Sequence, residues 1–258
     1  MKYLKSYLNH VPNLITSVHL LMGCLSIVLT FQGRLIPASV CIFIAGVLDF
    51  SDGLAARLLK ACSEYGKIMD SLADVVSFGV APSVIMFQLL NHAILRGYSD
   101  VSTDLTGFLN FETASPLEIL VSFSAFTIAV FSALRLAKFH LDKRQTNYFV
   151  GMPTPANAFL IASIPFVLRD YEAISNILLK IYILIPLIFI LSFLLVSEIP
   201  MISLKFKNLT LRDNKSRYIL LLVTILLLIF FRISAYPLIY ALYLIISLID
   251  NPQKHQAV

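Results

Sequence analysis

Apolar segments of membrane-spanning length recur along the whole sequence. A helix needs roughly 17–25 mainly apolar residues to cross a bilayer. Eight segments meet or approach that length: 14–31, 36–60, 68–94, 116–140, 154–169, 177–197, 217–232 and 233–250. The hydrophobic content of 58% and the charged content of 14% exclude an ordinary soluble domain. The sequence therefore predicts an all-α, polytopic membrane helix bundle.

Three regions of this bundle differ in composition. Residues 1–12 are basic and aromatic, and we expect an interfacial amphipathic helix whose Lys2 and Lys5 face anionic headgroups. Residues 13–205 predict a six-helix core. Residues 206–258 predict a basic loop, two additional membrane helices that meet in a turn at Arg232, and a short tail.

The distribution of basic residues predicts the orientation of the chain. If Met1 is cytoplasmic, the inner segments hold 15 of the 20 lysines and arginines. Basic residues accumulate in cytoplasmic loops of membrane proteins. We therefore expect an integral protein of the cytoplasmic membrane with both termini inside.

Four aspartates stand at fixed spacing near the inner ends of the second and third predicted helices. The pattern is Asp49-x2-Asp52-Gly53-x2-Ala56-Arg57-x8-Gly66-x3-Asp70-x3-Asp74. Helical periodicity places Asp49, Asp52, Gly53 and Ala56 on one stripe and Gly66, Asp70, Asp74 and Ser77 on another. We expect the two stripes to face each other and to form one site that opens to the cytoplasm.

Carboxylates in a membrane need a compensating positive charge, because an unpaired one costs at least a few kcal/mol. The four aspartates can supply oxygen ligands to two hard cations, Mg²⁺ or Mn²⁺. Gly53, Ala56 and Gly66 keep their stripes free of side chains, which lets a nucleotide approach the backbone. Arg57 would neutralise a carboxylate or a phosphate.

A second class of protein also carries carboxylates within membrane helices. Proton relays and cation transporters use such pairs, and small residues often serve only helix packing. A transporter needs a path through the membrane, whereas the four aspartates lie near one face. The glycine, alanine and arginine positions would also be unexplained, so we keep a carboxylate-based cation transporter as the alternative.

The aspartate pattern resembles the signature of the CDP-alcohol phosphatidyltransferases, which it matches without a gap. The resemblance implies an integral membrane enzyme that displaces CMP from a CDP-linked lipid or alcohol. It implies metal binding by Asp49, Asp52, Asp70 and Asp74, with Asp74 also the general base. It further implies that the CDP moiety is surrounded by Asp49, Asp52, Gly53, Ala56, Arg57 and Gly66.

Five further segments resemble bacterial phosphatidylserine synthases: Val11–Thr16, Asp70–Pro82, Ala133–His140, Gly151–Ala156 and Val196–Lys205. The resemblance implies CDP-diacylglycerol and L-serine as substrates, surrounding membrane lipids and a homodimer, with no nucleic acid as a partner. Other family members use glycerol 3-phosphate or an inositol phosphate, and these acceptors remain open. The sequence departs from the usual pattern at Lys138 and His140.

Serine is a zwitterion, so its pocket should offer a cation to its carboxylate. Arg135 and Lys138 lie at i and i+3 near the inner end of the fourth predicted helix. We expect them, with Ser77, to contact the alcohol or a lipid phosphate. Both basic residues could instead be anchors whose charges extend to the headgroups.

Overall fold

The computed structural model describes residues 10–61, 63–96, 109–141, 149–201 and 214–249. The first helix begins at Val11, so the predicted interfacial helix at 1–12 lies almost wholly outside the described residues. The predicted basic loop and C-terminal tail also lie largely outside them. These predictions, and the domain boundaries built on them, stay predictions.

Helices make up nearly all of the described chain. The first part contains α1 (Val11–Phe31), α2 (Leu35–Leu58), α3 (Glu64–Asp74), a π-helical segment (Val75–Val80) and α4 (Ala81–Arg96). The middle contains α5 (Pro116–Phe123), a 3₁₀ turn (Ser124–Phe126), α6 (Thr127–Leu141), α7 (Thr154–Asp170), α8 (Glu172–Leu178) and α9 (Ile181–Val196). The last part contains α10 (Lys215–Phe231), a 3₁₀ turn (Arg232–Ala235) and α11 (Tyr236–Ile249).

Within the described ranges, five continuous helical stretches are long and apolar enough to cross a membrane: Val11–Phe31, Leu35–Leu58, Glu64–Arg96, Pro116–Lys138 and Lys215–Leu248. Helices α8 and α9, bent by 78° where they meet, make a sixth if they are counted as one span. The all-α polytopic bundle is thus confirmed. The count of eight is not reproduced, because α7 has only 17 residues and the last two predicted spans form one stretch. Arg232, with a positive φ of 52°, ends α10. The sequence predicts a turn between two separate spans there, whereas α10 and α11 belong to one helical stretch that is interrupted at this residue.

A two-residue strand pair positions the start of α7. Strand β1 (Phe149–Val150) pairs antiparallel with β2 (Pro200–Met201). Directly after β1, Gly151 has a φ of +75°, and a Cβ there would lie 2.6 Å from the Ser197 carbonyl oxygen. Only glycine fits this turn without strain. The loop that leads into α7 is therefore fixed against the end of α9.

The core lies around the central stretch formed by α3, the π-helical segment and α4. Every residue from Ala81 to Ile94 is buried. Helix α10 is the opposite case, because Leu220 is its single buried residue.

The C-terminal helix α11 packs into the core, unlike α10. Its Tyr236 ring lies 6.0 Å from the ring of Phe43 and 5.8 Å from that of Phe159. The Tyr240 hydroxyl donates to the sulfur of Met152, in the loop before α7. We infer that α11 supports the loop that precedes α7.

Candidate functional site

Helices α1 and α2 form a hairpin that brings the first polar residues together. A tight turn with Gly33 at a φ of 72° reverses the chain between them. Near the other end of this hairpin, the Thr16 hydroxyl donates to the carboxylate of Asp52 at 2.6 Å. This bond fixes Asp52, which is buried, in one orientation.

Helix α3 carries the second part of the acidic pattern. The Ser63 side chain caps its start by accepting from the Gly66 amide at 3.0 Å. Such a cap fixes where the helix begins. Gly66, Asp70 and Asp74 then follow in successive turns on the face towards α1 and α2.

Three of the four aspartates meet a histidine in one close group. Asp49 from α2, Asp70 and Asp74 from α3, and His19 from α1 each offer one ligand atom, and these atoms lie within 4.8 Å of one another. The histidine is buried, and the aspartates are half-buried. Two atoms bound to one Mg²⁺ at ~2.1 Å lie up to about 4.2 Å apart. The group therefore has nearly the dimensions of a metal site.

Unpaired polar atoms in this group fit a bound cation. One oxygen of Asp74 and both ring nitrogens of His19 are buried with no hydrogen-bond partner among the described residues. Each such atom costs roughly 1–3 kcal/mol if nothing binds it. Three carboxylates this close also repel one another, and a divalent cation would remove both costs.

A cavity of about 190 Å³ adjoins this group of aspartates, because Asp70 lines its wall. It is lined by Pro12, Asn13, Thr16, Asp52, Gly53, Ala56, Ala61, Ser63, Gly66, Lys67 and Asp70. A Cβ added at Gly53 would meet no atom within 4 Å, so helix packing does not require glycine there. Asp70 belongs to both the group and the cavity wall. The arrangement can hold a phosphate-bearing ligand in the cavity and its counterions beside it.

The other residues predicted from the sequence differ in whether they lie near the acidic group. Arg57 is exposed and is not among the residues that line the cavity. Arg135 is 8% exposed, interacts electrostatically with Asp74 and donates to the Thr154 hydroxyl at 3.3 Å. Lys138 pairs instead with Glu198 at 3.1 Å, and both side chains are exposed. The structure thus brings Arg135, but not Lys138, towards the acidic group.

Ser77 serves a contact between helices. Its hydroxyl is fully buried and donates to the backbone carbonyl of His19 at 3.2 Å. A Cβ at Gly23 would lie 2.4 Å from this hydroxyl, so glycine permits the close approach. Ser77 therefore fixes the backbone that carries His19.

His19 is the site residue that the aspartate pattern does not reveal. It lies outside the spaced motif, on a helix whose packing partners cannot be read from periodicity. One signal was present, because an ionisable residue in the middle of an apolar membrane helix usually faces a functional interior.

A larger cavity, about 660 Å³, lies at the opposite end of the bundle. Arg34, Arg96 and Arg169 are among its lining residues, with Glu172 as the one carboxylate. Its size alone does not make it the candidate active site, since the clustered carboxylates lie at the other end.

Comparisons with known proteins agree with the geometry of the acidic end. The family model described as CDP-alcohol phosphatidyltransferase matches residues 9–249. A Bacillus subtilis protein named CDP-diacylglycerol–serine O-phosphatidyltransferase is 30% identical over 62% of this chain and 77% of its own length. A Helicobacter pylori protein of the same name is 28% identical over 92% of this chain and 89% of its own.

An archaeal relative is similar over a shorter region. The archaetidylserine synthase of Methanothermobacter thermautotrophicus is 31% identical over 59% of this chain and 56% of its own length. The family model covers almost the whole sequence, including both helices that carry the aspartates. The chain belongs to the CDP-alcohol phosphatidyltransferase family.

Proposed function

We propose that this protein transfers the phosphatidyl group of CDP-diacylglycerol to the hydroxyl of L-serine and releases CMP. The observation that carries the proposal is the close group of Asp49, Asp70, Asp74 and His19 beside a cavity walled by small residues. The names of the bacterial relatives support serine as the acceptor. A cation transporter is not favoured, because the chain belongs to a family of transferases.

Two divalent cations, Mg²⁺ or Mn²⁺, would be held by Asp49, Asp52, Asp70 and Asp74. When bound, such ions stabilise the negative charge that shifts to the departing phosphate. Gly53, Ala56 and Gly66 leave room beside them for the CDP moiety, and Asp52 is already oriented by Thr16. Arg57 is placed to contact phosphate only if its exposed side chain turns towards the cavity.

Asp74 is the general base in this proposal. The serine oxygen bonds to the phosphorus that carries diacylglycerol, and the bond from that phosphorus to the bridging oxygen breaks. The bridging oxygen leaves with CMP, and Asp74 accepts the proton of the serine hydroxyl. General-base assistance of this kind typically contributes about 10²–10⁴-fold to the rate. One oxygen of Asp74 is buried without a hydrogen-bond partner in the described part of the chain, which supports the assignment.

Arg135 is the proposed partner of the serine carboxylate. Its guanidinium is nearly buried, and its Nε has no hydrogen-bond partner among the described residues. It also interacts with Asp74, so a ligand bound by it would lie near the base. Lys138 is less well placed, since its charge is paired with Glu198, and Ser77 acts here through the His19 backbone.

The orientation and the assembly are part of the proposal. Serine and CMP are water-soluble, so we place the acidic end and both termini on the cytoplasmic side of the cytoplasmic membrane. The family resemblance supports a homodimer. Labelling of a cysteine introduced next to Lys60 in intact cells, and light scattering of the purified protein, would test these two points.

A CMP-release assay tests the proposed reaction. Purified protein is incubated with CDP-diacylglycerol and L-serine, glycerol 3-phosphate or an inositol phosphate, with added Mg²⁺ or Mn²⁺ or with excess chelator. We expect release with serine that depends on the metal. Release with glycerol 3-phosphate but not with serine would overturn the acceptor, and full turnover in chelator would overturn the metal assignment.

A further inference from the structure

His19 is the one member of the acidic group that the aspartate motif does not include. We propose that His19 binds the metal directly through a ring nitrogen and thereby shifts the preference of the site towards Mn²⁺. The proposal rests on the proposed function, because it assumes a divalent metal at the aspartates. It adds a ligand of a different chemical type to an otherwise all-oxygen site.

The burial of His19 requires a partner for its ring. The residue is 0% exposed, and neither ring nitrogen has a hydrogen-bond partner among the described residues. A neutral imidazole carries one N–H donor and one acceptor nitrogen. A buried polar atom that stays unpaired is costly, so the acceptor nitrogen calls for a cation or a donor and the N–H for an acceptor.

The ring of His19 has one aromatic neighbour and three carboxylates close by. The Phe78 ring packs on the imidazole with 5.1 Å between the ring centroids and supplies no hydrogen-bonding atom. One ligand atom each of Asp49, Asp70 and Asp74 lies within 4.8 Å of a ring nitrogen of His19. These carboxylate atoms are also too far, or wrongly aligned, to form a direct hydrogen bond with it. A cation between them would be shared by nitrogen and oxygen ligands.

The backbone of His19 is held firmly enough to place a ligand. Its carbonyl accepts a hydrogen bond from Ser77 at 3.2 Å, and Gly23, one turn further along α1, lets the two helices approach closely. Ligand atoms on rigid elements are positioned more precisely than those on loops. The imidazole is thus presented to the acidic group by α1 itself.

Imidazole nitrogen changes which ion is preferred. Carboxylate oxygens suit Mg²⁺ and Mn²⁺ alike, whereas imidazole binds later first-row ions more readily than the hard Mg²⁺. With His19 as a ligand, Mn²⁺ should bind more tightly relative to Mg²⁺ than with an oxygen ligand in its place. His19 would be a determinant of metal selectivity.

Pulsed electron paramagnetic resonance of bound Mn²⁺ tests the nitrogen directly. The full-length protein, His19→Gln and the matched control His92→Gln are each loaded with Mn²⁺. His92 is a buried histidine outside the acidic group. We expect nitrogen coupling in the wild type and in His92→Gln, and none in His19→Gln.

A Mn²⁺ titration of the same proteins measures the selectivity. Loss of a group that only orients a metal ligand typically costs about 10–100-fold in metal affinity, and loss of a direct ligand should cost at least as much. We expect His19→Gln to weaken Mn²⁺ binding by at least about 10-fold and Mg²⁺ binding by less. An equal loss for both ions would overturn the selectivity.

The outcomes separate this inference from the proposed function. Wild-type protein that binds Mn²⁺ without nitrogen coupling, or that binds no Mn²⁺, overturns the role of His19 whatever its activity. Nitrogen coupling without CMP release from CDP-diacylglycerol and serine supports His19 and overturns the proposed reaction. The wild-type spectrum alone decides the first point if His19→Gln does not fold, and His19→Asn then provides the second variant.

Discussion

Two helical stretches of nearly equal length have opposite surroundings. The central stretch, Glu64–Arg96, has 33 residues, and the C-terminal stretch, Lys215–Leu248, has 34. Each exceeds the length of one simple span, and each is interrupted once. The central one carries Asp70 and Asp74 and is largely buried, whereas the C-terminal one faces outwards along most of α10.

The buried stretch is the more polar of the two. Helix α4 buries Ser83, Gln88, Asn91 and His92, while α10 has Thr224 as its one polar residue after Tyr218. Lipid is as apolar as leucine, so an apolar surface gains little by leaving it. Polar groups gain partners by facing protein. Of these two stretches, the more apolar one is therefore the more exposed one.

The largest predicted effect concerns the chemistry of the central stretch. Asp70→Asn should lower CMP release more than about 100-fold, because Asp70 belongs to both the metal group and the cavity wall. Glu64→Gln, on the same helix but exposed, should leave turnover unchanged. Turnover from CDP-diacylglycerol and serine measures both. Equal rates for the two variants would remove the chemistry from this stretch.

Packing in the same stretch gives the next largest effect. Leu90→Ala should lower the free energy of unfolding by about 2–5 kcal/mol, because Leu90 is 0% exposed and its removal leaves a cavity. Denaturation by SDS in mixed micelles measures the change. A loss below about 0.5 kcal/mol would mean that α4 is not the packed centre.

The next effect concerns Arg135, the proposed contact of the serine carboxylate. It lies on α6, which packs against the π-helical segment of the central stretch. Removal of one partner in a charge-assisted contact costs about 1.5–3 kcal/mol. Arg135→Ala should therefore raise the apparent KM for serine by roughly 10- to 150-fold. Lys138→Ala, three residues further on and paired with Glu198, should change it little. Serine titrations at saturating CDP-diacylglycerol would decide, and an unchanged KM in Arg135→Ala would exclude its role.

The smallest effect is expected on α10. Leu222→Ala should change the free energy of unfolding by less than about 0.5 kcal/mol, since Leu222 is 59% exposed and exchanges one apolar neighbour for another. The same SDS titration that is used for Leu90→Ala measures it. A loss comparable to that of Leu90→Ala would show that α10 is covered, for example by a second copy of the chain.

The positions of the helices could be predicted from apolar runs alone. Predicted spans 14–31 and 36–60 correspond to Val11–Phe31 and Leu35–Leu58, because solvation by lipid acts on each segment separately. The number of spans could not be predicted. It depends on whether neighbouring segments bend apart, and an apolar run does not contain that information.

The candidate site could likewise be predicted only in part. The spacing of Asp49, Asp70 and Asp74 indicates their two faces, and the structure brings all three together. The other residues that lie beside these aspartates could not be predicted. His19 reaches them through the packing of α1 on the π-helical segment, and the split between Arg135 and Lys138 depends on Glu198, 60 residues further along the chain.

The π-helical segment Val75–Val80 has a consequence for how this sequence can change over time. Its hydrogen bonds reach one residue further than those of an α-helix, and one residue turns a helix by about 100°. Removal of a single residue there would leave two good helices. It would also turn Asp70 and Asp74 away from Asp49, or turn the core face of α4 towards lipid. The length of the segment between Asp74 and Ala81 should therefore be constrained during evolution, in addition to the identity of its buried residues Ser77 and Phe78.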